Sequence, residues 1–343
     1  MAATGSQSGL IADQSHMLLL EHDEIVGLLT PEEIIEALRA ALLEQSKGLI
    51  QVPPRTTVDS SSGYGWLRTM PAILNGSQVM GFKAMHSTPG VGVGYYVALY
   101  DLPTGELLTE MDADWLTAQR TAATAAIGVD MLAAKTIRTV GVLGSGEQAR
   151  AMLIAASKVR ALPRIQVFSP TPAHRQAFAD KIGREIGADI APVESPQNAV
   201  SGCDLLLSAY RAGKEPLVAA SWVTPGMHIS AASSVRPAAR ELEDQIWRKA
   251  SVVAVDDREH AFESGDGRSA IASRSFAAER AVELWELVSS KRPGRSHDAD
   301  ITLFKSVGTA LQDLAIANAI YSRARKAGLG RDVGRFPRMR PHA

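Results

Sequence analysis

Two groups of residues stand out for the chemistry that their types and spacing allow. The first is Gly144, Gly146 and Ala149 in VLGSGEQAR, which fit the spacing G-x-G-x-x-A. The first glycine allows a sharp turn, and the second lets backbone approach a pyrophosphate. A small third residue lets a helix pack closely on a strand. A glycine turn of this kind also serves purely structural ends, so its setting has to decide. The second group is a set of cations within otherwise apolar or small-residue stretches: Arg55 in QVPPRT, Arg68 before Met70–Pro71, Lys83 in GFKAMH and Arg120 in TAQRTAAT. Packing does not explain the first three. Small neighbours around Arg120 point to a buried or site-lining guanidinium rather than a helix-surface charge.

The elements that must hold these residues follow from periodicity. Thr139–Leu143 is a short apolar run of the kind buried on both faces of a parallel sheet, and the glycines separate it from a helix. That helix would offer unpaired N–H groups and the positive end of its dipole to phosphates. Ile165–Phe168 is the next strand. An NAD site usually has an acid at its end for the ribose 2′-hydroxyl, but Ser169-Pro170-Thr171-Pro172-Ala173-His174-Arg175 has none. Ser169, Thr171 and Arg175 suit a 2′-phosphate instead, so NADP(H) is expected over NAD(H). Asp204–Ser208, Met227–Ala231 and Val252–Val255 supply further strands and widen the sheet to at least six. Gly265–Ser269 and Ser289–Asp300 read as loops, and Phe304–Tyr321 as the final helix.

Before the glycines, Met17–Leu20 is a short strand. Thr30 caps a helix with Pro31 at its first position and Glu33 closing a capping box; Gly48 ends it. The runs Trp66–Leu74, Val79–Met85, Tyr95–Tyr100 and Leu107–Met111, with a hairpin turn at Asp101–Gly105, predict an antiparallel or mixed sheet. Asp114–Leu132 is a long alanine-rich helix carrying Arg120.

The totals set bounds. A chain of 343 residues predicts about two domains. A net charge of −1 gives no argument for nucleic acid or an anionic membrane. The single cysteine, Cys203, excludes an intrachain disulfide and favours a reducing cytoplasm; a buried thiol is expected there. No apolar run is long enough to span a membrane. Residues 1–16 lack the order of a signal peptide and read as a disordered lead, and the basic tail from Gly330 as a solvated end. The histidines are scattered, so no metal site is expected.

Together, PPRTTV, MPAIL, GFKAM, DLPTGELL, LTAQRTAATAAIG, VGVLGSGEQA and LFKSVGTALQD resemble the ornithine cyclodeaminase/μ-crystallin family from about Met17 to Tyr321. The resemblance implies an α/β fold: a Rossmann NAD(P)-binding domain (133–310) inserted into a mixed α/β substrate and dimerisation domain (17–132 plus 311–343). It also implies a homodimer paired through that second domain's sheet, and a small α-imino or α-amino acid as substrate. By the same resemblance Arg55 and Arg120 hold the substrate carboxylate, and Lys83 contacts the carboxylate and the reacting centre. Gly144, Ser145, Gly146, Glu147, Gln148 and Ala149 form the pyrophosphate loop. Thr121, Ser208, Ala209, Lys305 and Ser306 line the cofactor, the last two closing over the nicotinamide.

A planar guanidinium fork is a natural carboxylate clamp. A lysine desolvated beside two arginines is expected to have a lowered pKa and to donate a proton near neutrality. His86 is a second candidate acid, or else a surface histidine. Two departures bear on activity. The family's cyclodeaminases carry an Asp where this chain has Val235, after Ser233 and Ser234, and a Glu where it has Arg68. Arg68 either selects an acidic side chain on the substrate or pairs with a loop carboxylate. The Ser-x-Arg-Pro form is more similar to the ketimine reductase branch. The expectation is therefore an NADP(H)-dependent reductase of an α-imino acid or cyclic ketimine carboxylate. An amino-acid dehydrogenase, a cyclodeaminase with a replaced acid and a non-catalytic binding protein are the alternatives.

Overall fold

The computed structural model describes residues 16–233 and 235–337, which divide into two compact units. The described residues of the first are 16–29, 49–116 and 313–337. Those of the second are 30–48 and 117–312. The division differs from the expected 17–132 plus 311–343. Helix Pro31–Ser46 and nearly all of helix Asp114–Leu132 belong with the nucleotide-type unit. Buried packing is the reason. Gly128 faces the ring of Phe304 so closely that a Cβ would lie 2.8 Å from it. Asp130 also takes hydrogen bonds from both Arg39 and Arg160, tying three helices together.

The first unit is built on an eight-stranded mixed sheet. Its spine runs Leu18–Leu20, Leu107–Asp112, Gly92–Asp101, Val79–Thr88, Trp66–Leu74 and Ile50–Gln51, with Thr56–Asp59 also paired to Trp66–Leu74. Leu18–Leu20 is parallel to Leu107–Asp112 and antiparallel to Arg331–Asp332. The start of the basic tail thus forms a short edge strand, and its described residues are mostly exposed, as a solvated end should be. The lead at 1–16 lies, His16 excepted, outside the described residues. The Asp101–Gly105 turn forms as expected, with the Asp101 carboxylate accepting from Thr104 N–H and Oγ1. Pairing of Met70 with Lys83, and of Lys83 with Val97, fixes the faces. Because side chains alternate, Lys83, Met85, Arg68, Met70, Tyr95 and Val97 share one face. Phe82, Ala84, His86, Pro71 and Tyr96 share the other.

The second unit is a parallel eight-stranded sheet in the order Asp189–Pro192, Arg164–Phe168, Val140–Leu143, Leu205–Ser208, His228–Ala231, Thr302–Lys305, Val252–Val255 and Val282–Glu283. The chain steps outward from Val140–Leu143 in one direction, then returns to its other side. The switch point of this Rossmann sheet therefore lies between Val140–Leu143 and Leu205–Ser208, where α/β sheets bind ligands at the carboxyl ends of their strands. Two expectations are corrected. Gly265–Ser269 is helical, within Gly265–Ala272. Phe304–Tyr321 is not one helix: Thr302–Lys305 is a central strand and the helix is Ala310–Ala327. Cys203 is buried as expected, and burial pushes its thiol up to about 12.

Candidate active site

In the second unit, Gly144 has φ +111°, and a Cβ there would stand 2.4 Å from the Ala209 carbonyl. Only glycine fits this turn. Its N–H donates to Phe168 O (2.8 Å), and Ala209 N–H donates to Leu143 O (2.9 Å), which draws the three strand ends together. Gly146 begins helix Glu147–Val159 without a side-chain cap, and nothing lies within 4 Å of where its Cβ would be. A helix N-terminus with uncapped N–H groups and open space before it suits a phosphate. Ala149 is buried, as close helix packing needs. Ser208 Oγ, at the end of the switch-point strand, is buried with no hydrogen-bond partner among the described residues. These features fit a dinucleotide.

The other expected cofactor residues have definite settings. Ser145 Oγ donates to Ser169 Oγ (2.9 Å). Arg175 donates to Ser169 O (3.0 Å) and lies 6.0 Å from the Phe168 ring. Thr171 is exposed at the start of helix Pro172–Ile186, where its hydroxyl makes no cap. Glu147 pairs with Arg150 (3.1 Å). The Gln148 amide reaches Ala118 O (3.4 Å), and Thr121 Oγ1 donates to Thr117 O (2.8 Å).

Lys305 is placed differently from a cation that caps a ring. It is fully buried, and its ammonium meets Glu241 Oε2 (2.8 Å) and Asp266 Oδ2 (3.2 Å). Burial pulls its pKa down, but the two carboxylates outweigh that and hold it above the ordinary lysine value. Glu241 Oε2 also accepts the N–H of Ser233 (3.2 Å), and Ser233 Oγ accepts the N–H of Tyr210 (2.9 Å). Two residues on, Val235 is 40% exposed.

Ser306 donates to Asp256 Oδ2 (2.8 Å), which is the centre of a network that the sequence reading missed. Asp256 also accepts the N–H groups of Val307 (2.9 Å) and Gly308 (2.8 Å) and the Gln312 amide (3.0 Å). Gln312 Oε1 accepts from Arg120 Nη1 (2.9 Å). Arg120 is buried in the same unit, so the guanidinium is internal and not a helix-surface charge. Gly308 has φ +77°, and a Cβ there would lie 2.4 Å from Arg120 Nη1.

In the first unit, Lys83 is fully buried and donates to Asp313 Oδ1 (3.1 Å); its ammonium lies 5.1 Å from the Tyr95 ring. Asp313 is a partner that the sequence reading of Lys83 did not include, and it pairs the buried ammonium with an opposite charge. Arg68 lies on the same face as Lys83, donates to Thr57 Oγ1 (2.8 Å) and stacks 5.4 Å from the Trp66 ring. Arg55 is half-buried in the segment before strand Thr56–Asp59. His86 is exposed on the opposite face, packed against Gly94, and so faces away from Lys83. The signal for the missed partners was present in LFKSVGTALQD: Gln312 and Asp313 are adjacent polar residues in an apolar helical stretch.

The model of the ornithine cyclodeaminase/mu-crystallin family matches residues 14–328. A Delta(1)-pyrroline-2-carboxylate reductase of Bacillus cereus is 29% identical over 325 residues, 92% of this chain and 99% of its own. An alanine dehydrogenase of Archaeoglobus fulgidus is 32% identical over 327 residues, 93% of this chain and 98% of its own. The solved structure of Thermococcus litoralis Delta(1)-pyrroline-2-carboxylate reductase in complex with NADH and L-proline aligns at a TM-score of 0.88 and 32% identity, over 92% of this chain and 100% of that one. The chain belongs to the ornithine cyclodeaminase/mu-crystallin family.

Proposed function

We propose that this protein is an NAD(P)H-dependent oxidoreductase that reduces the C=N bond of an α-imino acid or a cyclic ketimine carboxylate of the pyrroline- or piperideine-2-carboxylate type. One observation carries the reading. Two buried cations, Lys83 and Arg120, are held by Asp313 and Gln312, which are consecutive in the chain. Buried charges are costly unless something needs them, and cations kept in place this way suit an anionic substrate.

In this reading Arg55 and Arg120 grip the substrate carboxylate, for which the planar guanidinium is the natural fork. Lys83, or a water it orients, supplies the proton at nitrogen, and Asp313 steadies the ammonium. A nicotinamide dinucleotide, when bound along Gly144–Ala149, supplies the hydride to the imine carbon. The chain's own part is to fix the geometry and exclude competing reactions. The absence of an acid at Ser169–Arg175 favours NADP(H) over NAD(H). The domain boundaries expected from the family, with substrate and dimerisation functions in the sheet-bearing unit, belong to the same reading, as does a cytoplasmic setting.

A homodimer is the assembly we infer. The sheet face opposite Lys83 leaves Val58 (63%), Leu67 (50%), Tyr96 (38%) and Ile73 (36%) exposed. An apolar groove of about 830 Å³ lies there, lined by Val52, Pro53, Pro71, Met80 and Phe82 among others. An apolar sheet face of this kind is characteristic of an interaction surface.

The likeness to an alanine dehydrogenase favours a second reading, oxidation of an amino acid with the same clamp. A screen distinguishes them: cyclic and linear imino acids with NADPH or NADH, and the matching amino acids with NADP⁺ or NAD⁺, followed by nicotinamide absorbance. Imine turnover is expected to dominate. NADPH should lead NADH by about tenfold in kcat/KM, the scale of one charge-assisted hydrogen bond, and Arg175→Ala should remove that lead. Ammonia release from ornithine or lysine without net cofactor reduction would refute the reductase.

A further inference from the structure

Asp256 is a buried carboxylate outside the residues assigned above to substrate or cofactor, yet it takes hydrogen bonds from Ser306, Val307, Gly308 and Gln312. Donor and acceptor chemistry fixes how Gln312 must sit. A carboxylate only accepts and a guanidinium only donates. The Gln312 amide therefore turns its NH₂ to Asp256 and its oxygen to Arg120, as the distances of 3.0 and 2.9 Å record. No other orientation satisfies both neighbours. Gly308, held by the same carboxylate, closes the other side: its Cα leaves no room for a methyl beside Arg120 Nη1. Asp256 thus sets both the partner and the wall of one guanidinium. In a low-dielectric interior the amide also passes polarisation from the anion to the cation.

We infer that Asp256 and Gln312 are positioning residues that aim Arg120 at the substrate carboxylate. This rests on the proposed clamp and assigns how the clamp is set. A merely structural role would weaken all substrates alike. An aiming role acts only where a carboxylate is present. The test compares an imino acid with its carboxamide, which keeps the reacting C=N but lacks the anion, in wild type and Gln312→Leu. Cofactor affinity is measured alongside by nicotinamide fluorescence. The wild type is expected to prefer the carboxylate. Gln312→Leu should raise KM for it about tenfold, the loss of roughly one hydrogen bond to a charged group, while leaving kcat/KM for the carboxamide and cofactor affinity unchanged. Asp256→Asn should shift the carboxylate preference in the same direction. Equal losses on both substrates, or an unchanged preference in Gln312→Leu, would overturn the assignment. A wild type that reduces no imino acid would instead overturn the proposed function itself.

Discussion

At the scale of single residues, the decisive feature is that the buried cations are not alone. Lys83 and Asp313 are both fully buried at 3.1 Å. Removing one member of such a pair leaves an uncompensated charge and costs about 3–5 kcal/mol. Lys83→Met should therefore lower thermal stability as well as turnover, so the single variant cannot separate chemistry from folding. The double variant Lys83→Met/Asp313→Asn does. It is expected to recover most of the melting temperature while kcat stays down by about 100-fold or more, the usual weight of a general acid. Recovery of turnover in the double variant would show that the lysine is structural. A second buried group sets an acid limit on stability. Burial, then the charge of Arg295, pulls His228 down to about 3 from 6.5. The unfolded chain binds a proton below pH 6.5 that the folded one refuses, so stability falls as pH drops from 6.5 toward about 3. The slope is about 1.4 kcal/mol per pH unit. Denaturant unfolding at pH 7 and pH 5 should show this loss, and His228→Gln should flatten it.

At the scale of elements, the glycine loop was readable because everything that defines it is local: an apolar strand, a turn that needs positive φ and a helix start within ten residues. Gly144→Ala tests the reading. It combines strain at φ +111° with a contact of 2.4 Å to Ala209 O. The expected cost is about 1–3 kcal/mol of stability, with cofactor affinity falling further than affinity for a carboxylate inhibitor. What sequence reasoning lost was non-local. Phe304 and Lys305, the end of strand Thr302–Lys305, read as the start of a helix because a short buried parallel strand and a buried helix share the same unbroken apolar run. Gly265–Ser269 reads as a loop because glycine is a poor helix former. The structure shows why it is tolerated: a Cβ at Gly265 or Gly267 would meet the carbonyls of Ala239 or Ala261 at 2.1 Å. Close approach there carries Asp266 inward to Lys305. Asp256, ending a strand in VVAVDD, looks like any surface acid until the turn from Ser306 folds over it.

At the scale of the whole molecule, the first unit's sheet has two unlike faces, and the difference follows from alternation. The face bearing Lys83 is lined by buried side chains such as Met70, Leu74, Val97, Leu99 and Met111. On its reverse Val58, Leu67, Ile73 and Tyr96 reach solvent among the polar Thr69, His86, Glu110 and Asp112, and Phe82 and Tyr96 meet edge to face with centroids 6.1 Å apart. Large apolar side chains exposed together on one sheet face mark an interaction surface. A second copy seated on that face would be isologous, each chain presenting the same patch. Ile73→Glu and Tyr96→Glu together place two charges on it without touching the Lys83 face. Sedimentation should then give a monomer where the parent gives a dimer, with far-UV circular dichroism unchanged because both side chains lie partly exposed at the sheet surface. If the parent is monomeric, or the double variant remains dimeric, this face is not the interface. If the variant is monomeric and active, the catalytic residues of one chain suffice.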